Sequence, residues 1–306
     1  MPETTTPVTR SAPTMASLAR PSGAFAMLAM DQRVSLETMF RNSGRDTSTT
    51  PLDPFRGLVL EAAAPYVSAV LLDRGYLERT GPQAWAHATT GRIVAVDDLQ
   101  QPAGLPAQDS TIDPEAADLA VTLGADALKL LVIWLSGASD EKHAQQAAMV
   151  GEFVDLAHAH GMLALVEVIA HGGVRAGERP VTADELLAAA ETLGRGSDIY
   201  KAQVPIHGGD SAADVERLSR EMTATVRVPW VVLSTGVADD RFPELVGASC
   251  RGGASGFLAG RAIWSRAVSA TTTDETVARL RTSAADLQRL SAIVDAEARP
   301  FTEVSR

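Results

Sequence analysis

Three lysines stand among the 27 basic residues of the chain, and two of them fall inside apolar runs. Lys129 lies in ADALKLLVIW and Lys201 in SDIYKAQVP; wherever a bare positive charge suffices, the chain uses arginine. Arginine stays protonated at neutral pH, whereas a desolvated lysine can lose its proton and act as a nucleophile. Glu167 sits in LALVEVIA with apolar neighbours on both sides. An ionised carboxylate in such a run needs a partner. If the three runs are neighbouring parallel strands, their order alone predicts a Lys129–Glu167–Lys201 arrangement. A second ammonium and partial desolvation favour the neutral amine of one lysine. That amine can attack a ketone and form a Schiff base, an electron sink for carbon–carbon cleavage. The carboxylate can shuttle protons during dehydration of the carbinolamine. The same residues also read as a buried ion-pair network, and by themselves they leave both readings open.

Further polar residues close the other apolar runs. Asp31 could orient substrate hydroxyls or take a proton. Asp73, Asp97 and Asp98 are substrate contacts or helix caps, since aspartate at a strand end commonly caps the next helix. WVVLSTGV places Ser234, Thr235 and Gly236 on a tight loop, and GGASGFLAGRAIW places Gly260 and Arg261 at the end of the last run. Such loops bind anions through backbone N–H groups and helix N-termini, and Arg261 adds a bidentate clamp. The alternative is turn glycines beside a solvated arginine. The six histidines form no paired ligand motif on a strand, and His158 and His160, two apart on a helix, face different ways. A metal site is therefore not expected, and the lysine route needs no cofactor.

These residues need a scaffold. The apolar runs are 24–31, 69–73, 92–98, 127–134, 163–169, 199–205, 230–235 and 256–261. They are nearly continuous, which suits parallel strands covered on both faces. Amphipathic stretches alternate with them. Thr182 stands three residues before Glu185, a capping-box pattern, and Gly161 and Gly194 are plausible stops. Eight such units predict an α/β fold, a closed (β/α)8 barrel, with chemistry at the carboxyl ends of the strands. The runner-up, a doubly wound open sheet, lacks G-x-G-x-x-G after its first strand. Residues 21–298 are expected to form one domain, behind a flexible leader at 1–20 and before a tail at 299–306. Segments 41–55 and 100–110 read as βα loops near the active face.

A formal net charge of −11 argues against nucleic acid and anionic membranes as partners. A small anionic substrate remains compatible, through local arginines. The single Cys250 excludes an intrachain disulfide, and no run of 18 apolar residues occurs. The N-terminus lacks the apolar core of a signal peptide, which points to the cytoplasm. A barrel of this size is expected to self-associate.

GAFAMLAMDQR, SAVLLD, ADALKLLVIW, DIYK, PWVVLSTGV and GASGFLAGRAIW, in that order, resemble the class I aldolases related to tagatose-1,6-bisphosphate aldolase. The likeness is greatest to their sulfofructosephosphate aldolase branch and runs from about Pro21 to Asp295. It implies a TIM barrel with its Schiff-base lysine at Lys201, acid/base Glu167, second lysine Lys129 and aspartate Asp31. It further implies that Gln32 and Arg33 contact substrate, and that Ser234, Gly236, Gly260 and Arg261 hold an anionic end. The implied reaction cleaves 6-deoxy-6-sulfofructose 1-phosphate to dihydroxyacetone phosphate and 3-sulfolactaldehyde. The tagatose branch yields glyceraldehyde 3-phosphate instead. One departure stands out: the family carries an acid two residues after the Schiff-base lysine, where this chain has Gln203. The change alters the field near Lys201 or the polar contacts of the substrate. A barrel that binds sugar phosphate without turnover is the competing expectation.

Overall fold

The computed structural model describes residues 13–45, 52–85, 90–102, 106–204, 211–235 and 240–304. Ten strands follow one another among the described residues: β1 (Phe25–Met30), β2 (Ala69–Asp73), β3 (Gly91–Ala95), β4 (Asp97–Gln100), β5 (Asp109–Ile112), β6 (Ala127–Leu135), β7 (Leu163–His171), β8 (Ile199–Gln203), β9 (Trp230–Leu233) and β10 (Gly256–Ala259). Eight of them close into a parallel barrel in the order β1-β10-β9-β8-β7-β6-β3-β2, and β4 and β5 form a separate antiparallel hairpin. With helices between the strands, this is a (β/α)8 barrel.

Parity along the strands divides the core, because successive side chains point to opposite faces. Odd-numbered residues such as Met27, Leu71, Ile93, Leu165, Ile199 and Val231 form the inner cluster. Leu28, Leu72, Val94, Val166, Tyr200 and Val232 belong to the outer layer beneath the helices. The registers Lys129↔Leu165 and Glu167↔Lys201 carry the inward set round the barrel. Gly256 has φ +136°, and a Cβ there would lie 1.9 Å from the Phe25 carbonyl oxygen, so only glycine lets β10 meet β1.

The connecting helices follow local chemistry. Thr182 and Glu185 close the expected capping box at the start of helix Ala183–Leu193. Asp113 caps Pro114–Thr122 and Ser211 caps Ala212–Val226. Helix Asp140–Ala159 stops before Gly161, whose φ of +67° is left-handed. Cys250 is buried in helix Phe242–Arg251, and burial pushes its thiol up to about 12.

Several boundaries differ from expectation. The run 92–98 breaks after β3, because Asp97 starts the hairpin. The runs 230–235 and 256–261 end at Leu233 and Ala259, and Arg261 opens helix Arg261–Val268. Segment 41–55, expected as a loop, is helical at its two ends, in Val34–Asn42 and Leu52–Ala63, and its residues 46–51 lie outside the described residues. Residues 13–20 and 299–304, expected as parts of a leader and a tail, pack against the barrel, and residues 1–12 and 305–306 lie outside the described residues. Met15–Leu18 is a helical turn with Leu18 fully buried, and Phe301 stacks on Phe25 with centroids 6.0 Å apart. Both apolar side chains join the inner cluster at the amino-terminal end of the strands. Burying them explains why those segments do not remain free. No described helix is long and apolar enough to cross a membrane.

Candidate active site

At the carboxyl end of the barrel lies a cavity of about 440 Å³. Lys129, Glu167 and Lys201 project into it from β6, β7 and β8, all three side chains at most 8% exposed. Glu167 bridges the two lysines, with Oε1 2.9 Å from Lys201 Nζ and Oε2 3.0 Å from Lys129 Nζ. The Lys129 ammonium also donates to Asp31 Oδ2 and Asp97 Oδ1, each at 2.9 Å. Its three N–H donors therefore meet three carboxylates. Lys201 has one carboxylate partner among the described residues.

The electrostatics follow from this geometry. Burial alone would raise the Asp31 carboxyl, but Lys129 and Lys201 outweigh it and hold the group at about 2. Burial likewise opposes ionisation of Glu167, and the same two ammoniums pull it below its ordinary value. Lys129 is pushed the other way: burial disfavours its charge, yet Asp31, Asp97 and Glu167 raise it well above 10.5. Lys129 is thus a fixed cation, with no lone pair free to attack.

Asp97, expected as a substrate contact or a helix cap, is instead a partner of Lys129. Its carboxylate also accepts from Arg33 Nη2 at 2.6 Å and from the Leu131 backbone N–H at 3.2 Å. Parity offered a signal, since Ala95 points inward and Asp97 follows two positions later. Ser110 of β5 donates to the Leu131 carbonyl at 2.5 Å, tying the hairpin to the barrel.

Of the remaining expected contacts, Gln32, Arg33, Ser234, Thr235, Gly260 and Arg261 line the cavity. Arg261 Nη2 donates to Thr235 Oγ1 at 2.6 Å. A Cβ at position 260 would fall 2.5 Å from the Ala29 carbonyl oxygen and 3.0 Å from Gln32 Nε2, so glycine is required for packing. Gly236 lies outside the described residues. Asp73 and Gln203, also expected as substrate contacts, are not among the residues that line this cavity. Asp73 caps helix Arg74–Thr80 through the Tyr76 N–H and lies 3.1 Å from Arg56 Nη1. Burial raises its carboxyl. Gln203 spends its amide oxygen on the Ala170 N–H at 2.8 Å. Arg56, which sequence reasoning missed, is buried and donates to the Gln32 carbonyl at 2.7 Å. No set of three His, Cys, Asp or Glu residues among those described is placed to hold a metal.

A (β/α)8 barrel with a lysine–carboxylate cluster at its carboxyl mouth has the layout of a barrel enzyme. The chain belongs to the DeoC/LacD family of aldolases, which it matches over residues 25–266. It is 25% identical to tagatose 1,6-diphosphate aldolase 1 of Streptococcus pyogenes serotype M1, covering 92% of this chain and 94% of that one. It is 24% identical to tagatose 1,6-diphosphate aldolase 2 of Streptococcus mutans serotype c, covering 94% and 95%. The fold is shared with a fructose-bisphosphate aldolase from Slackia heliotrinireducens, at TM-score 0.61, 21% identity and 96% coverage of both chains. An archaeal fructose 1,6-bisphosphate aldolase shares it too, at TM-score 0.61, 18% identity and coverage of 91% and 96%.

Proposed function

We propose that the protein is a class I aldolase that cleaves a phosphorylated ketose through a Schiff base on Lys201. One observation carries the reading: Glu167 touches both lysines, but only Lys201 keeps donor positions uncommitted. Lys201 passes a proton from its ammonium to the adjacent carboxylate, attacks the ketone carbon as the neutral amine and gives a carbinolamine. Loss of water gives the iminium. The adjacent carbon–carbon bond then breaks, its electron pair enters the iminium, and the aldehyde leaves after its hydroxyl proton passes to a carboxylate. Protonation of the enamine and hydrolysis release the second product and restore the amine.

Glu167 is suited to the proton transfers by the same pair of ammoniums that hold it ionised. When Lys201 is converted to a neutral carbinolamine, one of those charges disappears. The carboxylate then takes a proton more readily at the step that needs one. Lys129 stays charged throughout and keeps Asp31 and Glu167 in place. Arg261, beside Thr235, favours the phosphate of the ketone half at the β9–β10 end.

The sequence resemblance favours 6-deoxy-6-sulfofructose 1-phosphate within this class, and the relatives' names favour tagatose or fructose 1,6-bisphosphate. The non-catalytic alternative draws on Gln203, but that side chain is engaged with the backbone of β7 rather than with Lys201. Borohydride in the presence of dihydroxyacetone phosphate is expected to fix an adduct on Lys201, read by peptide mass spectrometry. Lys201→Met is expected to abolish both adduct and turnover. A Lys201→Met enzyme with near-normal rates would refute the assignment. Chelation with EDTA should leave turnover unchanged, because the iminium is the electron sink.

A further inference from the structure

Residues 172–179 (GGVRAGER) form the loop after β7, and His171 at its root lines the cavity. Five consecutive backbone N–H groups in this loop are each accepted by a side chain. Gly173 donates to Ser136 Oγ at 3.1 Å, and Val174 and Arg175 donate to Glu178 Oε2 at 2.9 and 3.2 Å. Ala176 donates to Gln108 Oε1 at 3.0 Å, and Gly177 to His171 Nδ1 at 3.3 Å. Gly173 and Gly177 have φ of +93° and +81°, the left-handed region that lets so short a loop turn these groups toward their acceptors. Four acceptor side chains therefore set the loop's shape, where a strand would use a backbone ladder.

The same loop clasps the β4–β5 hairpin. Gln108, which accepts from Ala176, also donates its own N–H across the hairpin to the Gln100 carbonyl at 3.0 Å. Ala176 packs with Leu99, Ala107, Leu131 and Ile133 in one apolar cluster. At the foot of β4, Asp97 meets Lys129 and Arg33. Contacts thus run from His171 through the loop and the hairpin to the carboxylate that holds both cations.

A hydrogen bond accepted at Nδ1 puts the proton of the neutral His171 ring on Nε2. A protonated ring is a donor at both nitrogens, so Nδ1–H would confront the Gly177 N–H and the bond would be lost. Burial holds His171 below its ordinary 6.5 and keeps the ring neutral at pH 7. The charged groups on the surrounding elements have partners of their own. Asp109 of the hairpin is paired with Lys142, Glu178 with the loop N–H groups, Arg179 with Glu185, and Asp97 with Arg33 and Lys129. Glu167, Asp98 and Arg261 share the cavity lining with His171, and Arg175 stands in the loop itself. His143, on the helix packed on β6, spends Nε2 on the carbonyl of Leu135, the register partner of His171. We infer that His171 is a positioning residue, a proton-sensitive latch whose neutral ring keeps the loop closed on the hairpin and so keeps Asp97 on Lys129 and Arg33. The latch is shut above the ordinary histidine value and opens as pH falls below it, through the lowered folded value. This hold on the hairpin does not depend on which bond the enzyme breaks.

Amide hydrogen exchange tests the latch, read by mass spectrometry on peptides from β4, β5 and the loop and corrected for the intrinsic pH dependence of exchange. In the parent protein, protection in all three is expected to fall together by about tenfold between about pH 7.5 and about pH 5.5. Helix Thr273–Glu297 should stay protected over the same range. His171→Asn places its amide oxygen at the position of Nδ1 and does not titrate, so its protection is expected to stay flat. His171→Leu has no acceptor and is expected to show at neutral pH the low protection of the acidified parent. At neutral pH its half-saturating concentration of dihydroxyacetone phosphate in borohydride trapping should rise at least about threefold, and His171→Asn should recover most of that loss. Protection lost from the loop alone, with the hairpin unchanged, overturns the coupling to Asp97. A His171→Asn protein that opens in acid like the parent, or at neutral pH like His171→Leu, overturns the role of Nδ1. If His171→Leu does not fold, the pH series of the parent and of His171→Asn decide the question. Absence of trapping in the parent counts against Lys201 alone, and the exchange results still decide for or against the latch.

Discussion

Lys129 lies one inward layer below Glu167, in register with Leu165, yet its ammonium reaches the Glu167 carboxylate at 3.0 Å. The extended lysine side chain spans the two-residue rise of the strand. Its charge therefore sits in the layer where Asp31, Asp97 and Glu167 converge. Three buried carboxylates share one fully buried cation at their centre. Lys129→Met removes that cation and leaves uncompensated charge. The expected loss is about 3–5 kcal/mol, read from the urea midpoint at unchanged m-value.

Glu167→Gln keeps the shape of the cluster and removes the proton acceptor beside Lys201. Turnover is expected to fall by about 10²- to 10⁴-fold, the usual contribution of a positioned acid or base. Borohydride trapping should slow in parallel, because carbinolamine dehydration needs the same group. A variant that cleaves substrate at the normal rate would remove Glu167 from the mechanism.

The barrel and much of its mouth were legible because one rule governs both. Apolar runs of strand length predict buried parallel strands, and the charged residues inside them then have to meet. Lys129, Glu167 and Lys201 meet in this way. Asp97 was harder to place, since the run 92–98 hides a break after Ala95, and β5 (DSTI) carries no apolar alternation to announce a hairpin. Asp73 and Gln203 have the right parity but local partners, a helix N-terminus and a strand N–H, and no sequence pattern distinguishes those from a substrate. Leu18 and Phe301 fall in polar, turn-rich ends whose composition suggests freedom. Only the open amino-terminal end of the barrel explains their burial.

Acid should weaken the carboxylate cluster only at low pH, because its ammoniums hold Asp31 and Glu167 below the ordinary carboxylate range. Asp31 is depressed from 3.8 to about 2, so its contribution is present above about pH 4 and is lost as pH falls toward about 2. The shift corresponds to about 2 kcal/mol. Glu167, also depressed, adds to the same limb. Asp31→Asn is expected to flatten stability against pH between about 4 and 2 in denaturant titrations. An unchanged slope would mean that Asp31 does not report the pairing described.

Arg56 supports the segment that carries Asp31, Gln32 and Arg33. It is 3% exposed, pairs with Asp73 and donates to the Gln32 carbonyl at 2.7 Å. Arg56→Met breaks both links and leaves Asp73 without its buried cation. The loss should be about 3–5 kcal/mol, the scale for removing one partner of a buried pair. In the folded variant KM should rise, because Gln32 and Arg33 line the cavity and lose their backbone anchor. An Asp73→Asn partner mutation should recover part of the stability and none of the KM.

Asp97 joins the catalytic cluster to the guidinium side of the cavity, since one carboxylate holds Lys129 at 2.9 Å and Arg33 at 2.6 Å. Asp97→Asn keeps a hydrogen-bond acceptor but removes the charge. Two effects with different readouts follow. Lys129 loses one of the three carboxylates that raise it above 10.5. A group raised on folding stabilises fully below its unfolded value and loses that contribution as pH rises through its folded value. The alkaline unfolding limb of the variant should therefore begin at lower pH than in the parent. Arg33 meanwhile loses its ion-pair partner and can turn to an anionic ligand. Inhibition by inorganic phosphate should tighten as the electrostatic competition from Asp97 is removed. A variant that shifts the alkaline limb without tightening phosphate would show that Arg33 faces away from the ligand. One that does neither would dissolve the link between the two halves of the site.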